Sequence, residues 1–282
     1  LAPRTRSRDR GGPRRGRHRD RRRVGPARTR RMARHQRSPM IEIELMNAAA
    51  AMARRAGDVA LVGRATLDRS TDVGTKTTAT DMVTRWDAAS ERLIVDEIET
   101  RRPDDGIIGE EGSTKASRSG ISWLVDPIDG TTNFLYGLAG WAVSIAAADS
   151  SGTLAAAVYL PVTRELFVAA RGHGAWLGGR RLACSSNGDL AVALVGTGFS
   201  YSAERRANQG ERVARLLPRV RDIRRTGAAA PDLCYVADGR LDAYFEENLQ
   251  PWDLAAGLLI ATEAGARASD FAGGPPVPSN VV

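Results

Sequence analysis

A nonapeptide in the middle of the chain, DPIDGTTNF at residues 126–134, constrains the fold more than any other segment. The apolar run ISWLV at 121–125 precedes it and predicts a buried strand. In a straight strand Asp126 and Asp129 would point to opposite faces, but the proline between them and the Gly-Thr-Thr turn after them interrupt the strand. We therefore expect both carboxylates to converge on one point and bind a hard cation. A Pro-Gly turn with two solvated acids is the alternative interpretation.

The three residues after the second carboxylate, Gly130, Thr131 and Thr132, predict the start of a helix. The first backbone N–H groups of a helix lack partners within the helix, and they bind phosphate groups readily. A cation site beside such N–H groups indicates a phosphate-binding site.

A second pair of carboxylates lies in the segment Gly109-Glu110-Glu111-Gly112, which follows a short apolar strand at 106–108. Ligands of open α/β sheets bind at the carboxyl ends of strands, so this loop is a candidate part of the same site. Taken alone, an acidic loop is more often only solvated.

Two further acidic residues lie where helices begin. The segment PWDLAAG at 251–257 opens a helix with apolar residues at helical spacing, and Asp253 lies in its first turn. Asp87 follows Lys76 by a short interval and lies at the start of another amphipathic helix. Either aspartate could instead serve only to cap its helix.

Taken together, these four segments, in this order and with these intervals, resemble the inositol monophosphatase family of metal-dependent sugar phosphatases, most closely its bacterial extragenic-suppressor type. The resemblance extends from about Ile41 to the end of the chain, and its most specific parts are residues 126–134 and 252–257. It implies an α/β fold with the layered αβαβα arrangement of the sugar phosphatases.

The resemblance also implies a role for each matching residue. The expected magnesium ligands are Glu110, Asp126, the carbonyl group of Ile128, Asp129 and Asp253. The expected catalytic group that activates water consists of Glu110, Thr131 and Asp87. The expected substrate contacts are Asp129, the backbone of Gly130 and Thr131, and Glu246. Lys76 and Glu111 are expected to support the metal cluster.

The donor chemistry agrees with the implied cofactor, Mg²⁺. All of these ligands are oxygen atoms, which magnesium prefers, whereas zinc or iron would require Cys or His. A phosphate monoester carries negative charge that repels water, so cations that neutralise its oxygens lower the barrier most. We expect hydrolysis by water without a phosphoenzyme.

Substrate choice is less constrained by the sequence. Glu246 favours inositol 1-phosphate, but related enzymes hydrolyse histidinol phosphate, fructose bisphosphate or nucleotide phosphates with the same metal cluster. The resemblance further implies a homodimer and inhibition by lithium.

Composition excludes several other classes of protein. The chain of 282 residues lacks an apolar run of the roughly 18 residues that span a bilayer. Its two cysteines are too few for a disulfide framework, which favours the cytoplasm. Of three histidines only His173 lies outside the first 40 residues, so a Ser-His-Asp hydrolase is disfavoured. The segment GHGAWL at 172–177 resembles a dinucleotide loop only at its start, and we predict a turn there.

The first 40 residues differ from the rest of the chain. They contain 16 Arg and 2 Asp, so the net charge of +8 leaves the remaining residues at about −6. This tail has no apolar stripe, and we predict that it is disordered. A transit peptide and a nucleic-acid-binding arm are alternatives, the second of which would make the chain a non-catalytic RNA-associated protein. We favour upstream sequence that is not native, because Met40 resembles an ordinary start.

Residues 41–282 are predicted to form the catalytic domain, which departs from the family pattern in several places. The segment GAAAPD at 227–232 lacks the hydroxyl residue usual after its glycine. The end of the chain is expected to lack the family's last strand and helix. Helices are predicted at 41–63, 85–101, 203–217 and after Pro251. Strands are predicted as a hairpin-like pair within 73–84 and at 106–108, 121–125, 141–148, 153–160, 165–169, 222–225 and 241–246.

Overall fold

An eight-stranded sheet forms the centre of the fold. The computed structural model describes residues 40–68, 70–76, 82–277 and 280–282; the Arg-rich tail and part of the predicted 73–84 hairpin lie outside them. In chain order its strands are β3 (Gly106–Gly109), β4 (Thr114–Lys115), β5 (Ser122–Asp129), β6 (Ala142–Asp149), β7 (Gly152–Leu160), β8 (Glu165–Ala170), β9 (Gly174–Leu177) and β10 (Arg180–Arg181). Across the sheet these strands lie in the order β10-β9-β8-β7-β6-β5-β3-β4. Earlier in the chain, β1 (Val73–Thr75) and β2 (Met82–Thr84) form a separate two-stranded sheet.

Helices α1 (Ile41–Arg64) and α2 (Arg85–Arg101) cover one face of this sheet. The buried positions of α1 recur at helical spacing and are mostly Ala or Gly, so the helix packs closely on β7. At Gly63, a Cβ atom would lie 2.4 Å from the Trp86 ring. The small Ala and Gly residues of α1 thus allow this helix to pack closely on its neighbours.

The opposite face of the sheet is covered by α5 (Ala229–Ala237) and α6 (Pro251–Glu263). These helices also pack on a second, four-stranded sheet of order β12-β11-β13-β14. Its strands are β11 (Leu194–Thr197), β12 (Asp222–Arg224), β13 (Ala243–Glu247) and β14 (Asn280–Val281). The far face of the second sheet contacts the end of α4 (Ala203–Leu216) through Leu216. Helices and sheets therefore alternate in five layers, which confirms the predicted αβαβα class.

The end of β5 differs from the prediction in one informative respect. The strand does not stop at Val125 but continues to Asp129, and its pairing with β6 shifts by one residue on the way. Asp126 is paired with Ser144 and Asp129 with Ala142, so three steps along β5 match two along β6. In a regular strand the two side chains would point to opposite faces, and such a bulge turns them toward the same face. The convergence of the two aspartates thus comes from a bulge within the strand.

Other element boundaries agree closely with the predicted ones. Helix α2 has the predicted bounds, and the strands of the β6–β8 meander differ from theirs by one residue at most ends. A short helix, α3 (Thr131–Tyr136), begins where predicted. The turn predicted for residues 172–177 is confined to its first half, because strand β9 begins at Gly174. Strand β11 was not predicted. No described helix is long and apolar enough to cross a membrane.

Candidate active site

A cavity of about 440 Å³ opens where the two sheets meet the helices between them. Its lining includes all of the residues that the sequence singled out for the site except Asp87 and Glu111. The lining residues among them are Lys76, Glu110, Asp126, Ile128, Asp129, Gly130, Thr131, Glu246 and Asp253. Side chains far apart in the chain are therefore brought to one place.

The parallel pairing of β3 with β5 explains why Glu110 meets Asp126. Gly109 is aligned with Val125, so the next residue of each strand lies at the same edge of the sheet. The Glu110 backbone N–H donates to the Val125 carbonyl at 3.0 Å. The negative charge of Glu110 is close enough to Asp126 to raise the pKa of its carboxyl group.

The end of β5 is held by hydrogen bonds from its surroundings. The Asp126 carboxylate accepts from the Ile128 backbone N–H at 3.0 Å, and Asp129 Oδ2 accepts from the N–H of Ala230 in the first turn of α5 at 2.6 Å. Each carboxylate thus has one oxygen held by a backbone N–H group and retains capacity to bind a ligand in the cavity.

Asp253 reaches the cavity from the first turn of α6. Its Oδ2 accepts from the Gln250 backbone N–H at 2.7 Å, so it belongs to the capping box of this helix. The Trp252 carbonyl accepts a hydrogen bond of 3.3 Å from Ser144, the residue paired with Asp126. Asp253 therefore takes part in capping its helix and also lies in the cavity wall, so capping does not account for its whole position.

Asp87 lies behind Thr131, fully buried in the first turn of α2. The helix is capped by Thr84, so Asp87 is its third residue and not the N-cap that the sequence allowed. Asp87 accepts from the Thr84 N–H at 2.8 Å and from the Thr131 hydroxyl at 3.3 Å. The same hydroxyl lies 3.1 Å from the Ile128 carbonyl, so its single proton has two alternative acceptors.

Lys76 joins the two glutamates of the acidic loop. Its ammonium group donates to Glu110 at 2.8 Å and to Glu111 at 2.6 Å. Burial would lower the pKa of Lys76, but the two carboxylates outweigh that effect and raise it, so the side chain stays charged. Lys76 therefore neutralises part of the acidic charge at the cavity edge.

The remaining acidic charge is poorly compensated by the protein. Burial, followed by repulsion from Glu110, Asp129 and Asp253, raises the pKa of Asp126 well above its ordinary value. Burial and Asp253 do the same to Asp129, and the pKa of Asp253 rises to about 7 through burial and the charges of Glu110 and Glu246. A cluster of this kind favours either protons or a bound cation.

The cluster fits a hard divalent cation by its donor chemistry. The available ligands are carboxylate oxygens and the Ile128 carbonyl, which lies beside the bulge. In the described part of the chain, no group of three His, Cys, Asp or Glu side chains is already arranged so that it could hold a metal ion. The residues thus supply the right atoms in one cavity without forming a closed coordination shell.

Glu246 lies across the cavity, on β13 of the second sheet. It accepts a hydrogen bond from Tyr244, and burial raises its pKa. A Cβ atom at position 198 would lie 2.1 Å from its carboxylate oxygens, so Gly198 makes room for this side chain. The second sheet therefore presents one oriented acceptor to the cavity.

Two residues at or beside the cavity were missed by sequence reasoning, and only the first of them, Arg225, lines it. Arg225 lines the cavity and acts electrostatically on Glu246 and on the buried Asp232. Asn133 donates to the Thr226 carbonyl at 2.8 Å and so holds the loop before α5 against α3. Asn133 is part of the nonapeptide and could have been singled out there, whereas no local pattern marks Arg225.

Comparison with known proteins identifies the family. The sequence profile described as the inositol monophosphatase family matches residues 42–281. An inositol-1-monophosphatase of Mycobacterium leprae is 49% identical over 203 residues, which cover 69% of this chain and 70% of that protein. The Nus factor SuhB of Escherichia coli K12 is 43% identical over 232 residues, which cover 82% and 86%.

Solved structures show the same relationship. The crystal structure of the extragenic suppressor protein suhB from Bartonella henselae matches with a TM-score of 0.80 and 35% identity, over 84% of this chain and 92% of that one. The fold is thus that of a phosphatase family whose members are generally metal-dependent. The chain belongs to the inositol monophosphatase family.

Proposed function

We propose that this protein is a magnesium-dependent phosphatase that hydrolyses a phosphate monoester of a polyol, with inositol 1-phosphate as the first expected substrate. The observation that carries the proposal is the meeting of Glu110, Asp126, Asp129 and Asp253 in one cavity, next to the buried pair Thr131 and Asp87. Their donor chemistry and the family membership support it.

The four carboxylates and the Ile128 carbonyl would hold the metal. When bound, Mg²⁺ neutralises phosphoryl oxygens, favours ionisation of the attacking water and stabilises the leaving alkoxide. The chain's own carboxylates thus select the cation and fix its place beside the substrate.

Thr131 and Asp87 would move the proton of the attacking water. When the Thr131 hydroxyl donates its proton to Asp87 and not to the Ile128 carbonyl, its oxygen can accept a hydrogen bond from water. Burial raises the pKa of Asp87 to about 7, which suits a group that accepts a proton near neutral pH. Glu110 would hold the same water, whose oxygen forms a bond to phosphorus as the bond from phosphorus to the polyol oxygen breaks, so no phosphoenzyme forms. The leaving alkoxide would take a proton from solvent water, and Asp87 would return its proton to solvent.

The backbone of Gly130 and Thr131 would contact the phosphate, and Glu246 would accept a hydrogen bond from a hydroxyl group of the polyol. Its contact with Tyr244 orients the carboxylate toward the cavity, where a ring hydroxyl is a suitable donor. The relative named inositol-1-monophosphatase supports this choice. Histidinol phosphate, fructose bisphosphate and nucleotide phosphates are the alternatives.

A panel of these esters, assayed for phosphate release with Mg²⁺, tests the proposal. We expect the highest kcat/KM with inositol 1-phosphate, and a selective loss with that ester in Glu246→Gln. Equal losses for all esters would contradict the role of Glu246. No release from any ester by the wild-type protein would reject the phosphatase assignment.

Transcription is a second candidate function, because a relative that covers 82% of this chain is named a Nus factor. In that case the scaffold would act by binding, with the Arg-rich tail as a contact for RNA. Phosphate release and RNA binding should be compared with and without residues 1–39. Release that is unaffected by removal of the tail supports the enzyme, whereas RNA binding lost with the tail and without any release supports the alternative.

Further properties are inferred from the family. We expect a homodimer, inhibition by lithium and a place in the cytoplasm. Sedimentation of the purified protein tests the first, and a lithium titration of phosphate release the second.

A further inference from the structure

A buried carboxylate lies directly beneath the acidic loop. Glu91, on α2, exposes only 2% of its surface, although the sequence pattern gives it no role. Burying a carboxylate costs free energy unless its oxygens accept hydrogen bonds, so the hydrogen-bond partners of Glu91 indicate its role.

Both Glu91 oxygens accept backbone N–H groups of one loop. Oε2 accepts from Glu111 at 2.8 Å and Oε1 from Ser113 at 3.0 Å. The loop is further closed by the Gly109 N–H, which donates to the Ser113 carbonyl at 2.8 Å. Glu91 thus fixes the backbone on the C-terminal side of Glu110, while Val125 fixes the N–H of Glu110 itself.

The first glycine of the Gly-Glu-Glu-Gly segment is required by the same carboxylate. A Cβ atom at position 109 would lie 2.5 Å from Glu91 Oε2. Loop and helix therefore approach more closely than any side chain at 109 would permit. This is a second observation, independent of the hydrogen bonds, that Glu91 and the loop are fitted to each other.

One face of α2 contacts three separate segments of the site. Asp87, Ser90 and Glu91 are spaced as neighbours on a helix surface. Asp87 accepts from Thr131, Ser90 donates to the Pro127 carbonyl at 3.4 Å, and Glu91 holds the acidic loop. A single rigid helix therefore sets the distances between the loop, the bulge of β5 and Thr131.

We propose that Glu91 is a positioning residue, which holds Glu110 opposite Asp126 and thereby sets the affinity of the cavity for a divalent cation. The inference rests on the proposed metal site. It goes beyond that site because Glu91 does not line the cavity, and its two oxygens accept hydrogen bonds from the loop backbone.

The test compares Glu91→Gln with the wild-type protein. Glutamine keeps the size of the side chain but presents an amide N–H₂ to one of the two backbone donors. We expect faster hydrogen–deuterium exchange in peptides covering 106–116 of the metal-free protein, and about 10-fold weaker Mn²⁺ binding by calorimetry without substrate. The Mg²⁺ concentration for half-maximal phosphate release should rise in parallel.

Glu97→Gln is the matched control. Glu97 lies on the same helix and is also buried, but its partners are Arg55 and Arg101 and it does not contact the loop. This variant should bind Mn²⁺ with wild-type affinity even if its melting temperature falls. If Glu91→Gln does not fold, Gly109→Ala should give the same loop exchange and weakened binding, because its methyl group displaces Glu91.

Wild-type Mn²⁺ affinity together with unchanged loop exchange in a folded Glu91→Gln or Gly109→Ala protein would overturn the proposal. A wild-type protein that binds Mn²⁺ but releases no phosphate would reject the proposed function and leave the role of Glu91 still measurable. A wild-type protein that does not bind Mn²⁺ would reject both.

Discussion

At the scale of single residues, Asp126 is the point at which the acidic side chains meet. Its pKa is raised by burial and by the charges of Glu110, Asp129 and Asp253. We therefore expect this side chain to contribute to cation binding through its charge, next to that of Glu110.

Asp126→Asn should therefore lower the turnover number by about three orders of magnitude or more, because a ligand charge is lost at the reacting centre. Phosphate release from inositol 1-phosphate at saturating Mg²⁺ measures this. Asp96→Asn removes a charge from an exposed position of α2 and should leave turnover unchanged. Near-full activity of Asp126→Asn would reject the assignment of the cluster.

Thr131 offers a test of proton transfer at the same scale. Thr131→Ala should reduce kcat about 100-fold with a smaller change in KM, because the hydroxyl between water and Asp87 is lost. Thr131→Ser restores the hydroxyl and should recover most of the rate. If both variants lose activity equally, the methyl group of Thr131 and not its hydroxyl is the important part.

At the scale of elements, the turn from β5 into α3 gives the site its shape. Gly130 has a φ of +91°, and a Cβ atom there would lie 2.9 Å from the Gly140 carbonyl oxygen. Only glycine fits both the left-handed backbone and the narrow space.

Gly130→Ala should lower the free energy of unfolding by about 2 kcal/mol or more, through backbone strain and the close contact together. Gly112→Ala is the matched comparison. Its φ is +100°, but the space around it is open, so it should cost only the strain of about 1 kcal/mol. Urea unfolding of the metal-free proteins measures both, and equal losses would show that the contact at Gly130 is relieved without cost.

At the scale of the whole molecule, we expect the buried acidic residues to make the stability of the protein depend on pH and on divalent cations. Burial raises the pKa of Asp87 to about 7, and Asp253 and Asp232 reach about 7 for the same main reason. The folded protein thus binds these protons more tightly than the unfolded chain, in which the pKa of an aspartate is about 4. The stability from these groups is complete below about pH 4 and is lost as the pH rises to about 7.

The melting temperature of the metal-free protein should accordingly fall between pH 5.5 and pH 8. Millimolar Mg²⁺ or Mn²⁺ should raise it, and more at pH 8, where the carboxylates are free of protons. Asp126→Asn should show a smaller rise. Calorimetric scans at the two pH values measure the effect, and an equal rise at both would contradict it.

The sequence by itself determined most of the elements and, through its resemblance to a known family, the layered class and the set of candidate ligands. The elements depend on short-range patterns: the periodicity of α1 and α2, the alternation in the meander, and the apolar runs that precede the acidic loops. Such patterns can be read because they reflect backbone geometry within a few residues.

Only the tertiary structure decided how these residues meet. The bulge that turns Asp126 and Asp129 to one side depends on pairing with β6, and the hold of Glu91 on the acidic loop joins residues 20 and 22 positions apart. Lys76 between its two glutamates, and Gly198 beside Glu246, are likewise contacts between distant parts of the chain. Contacts of this kind leave no local periodicity, because their geometry is set by the packing of whole layers and not by the neighbouring residues.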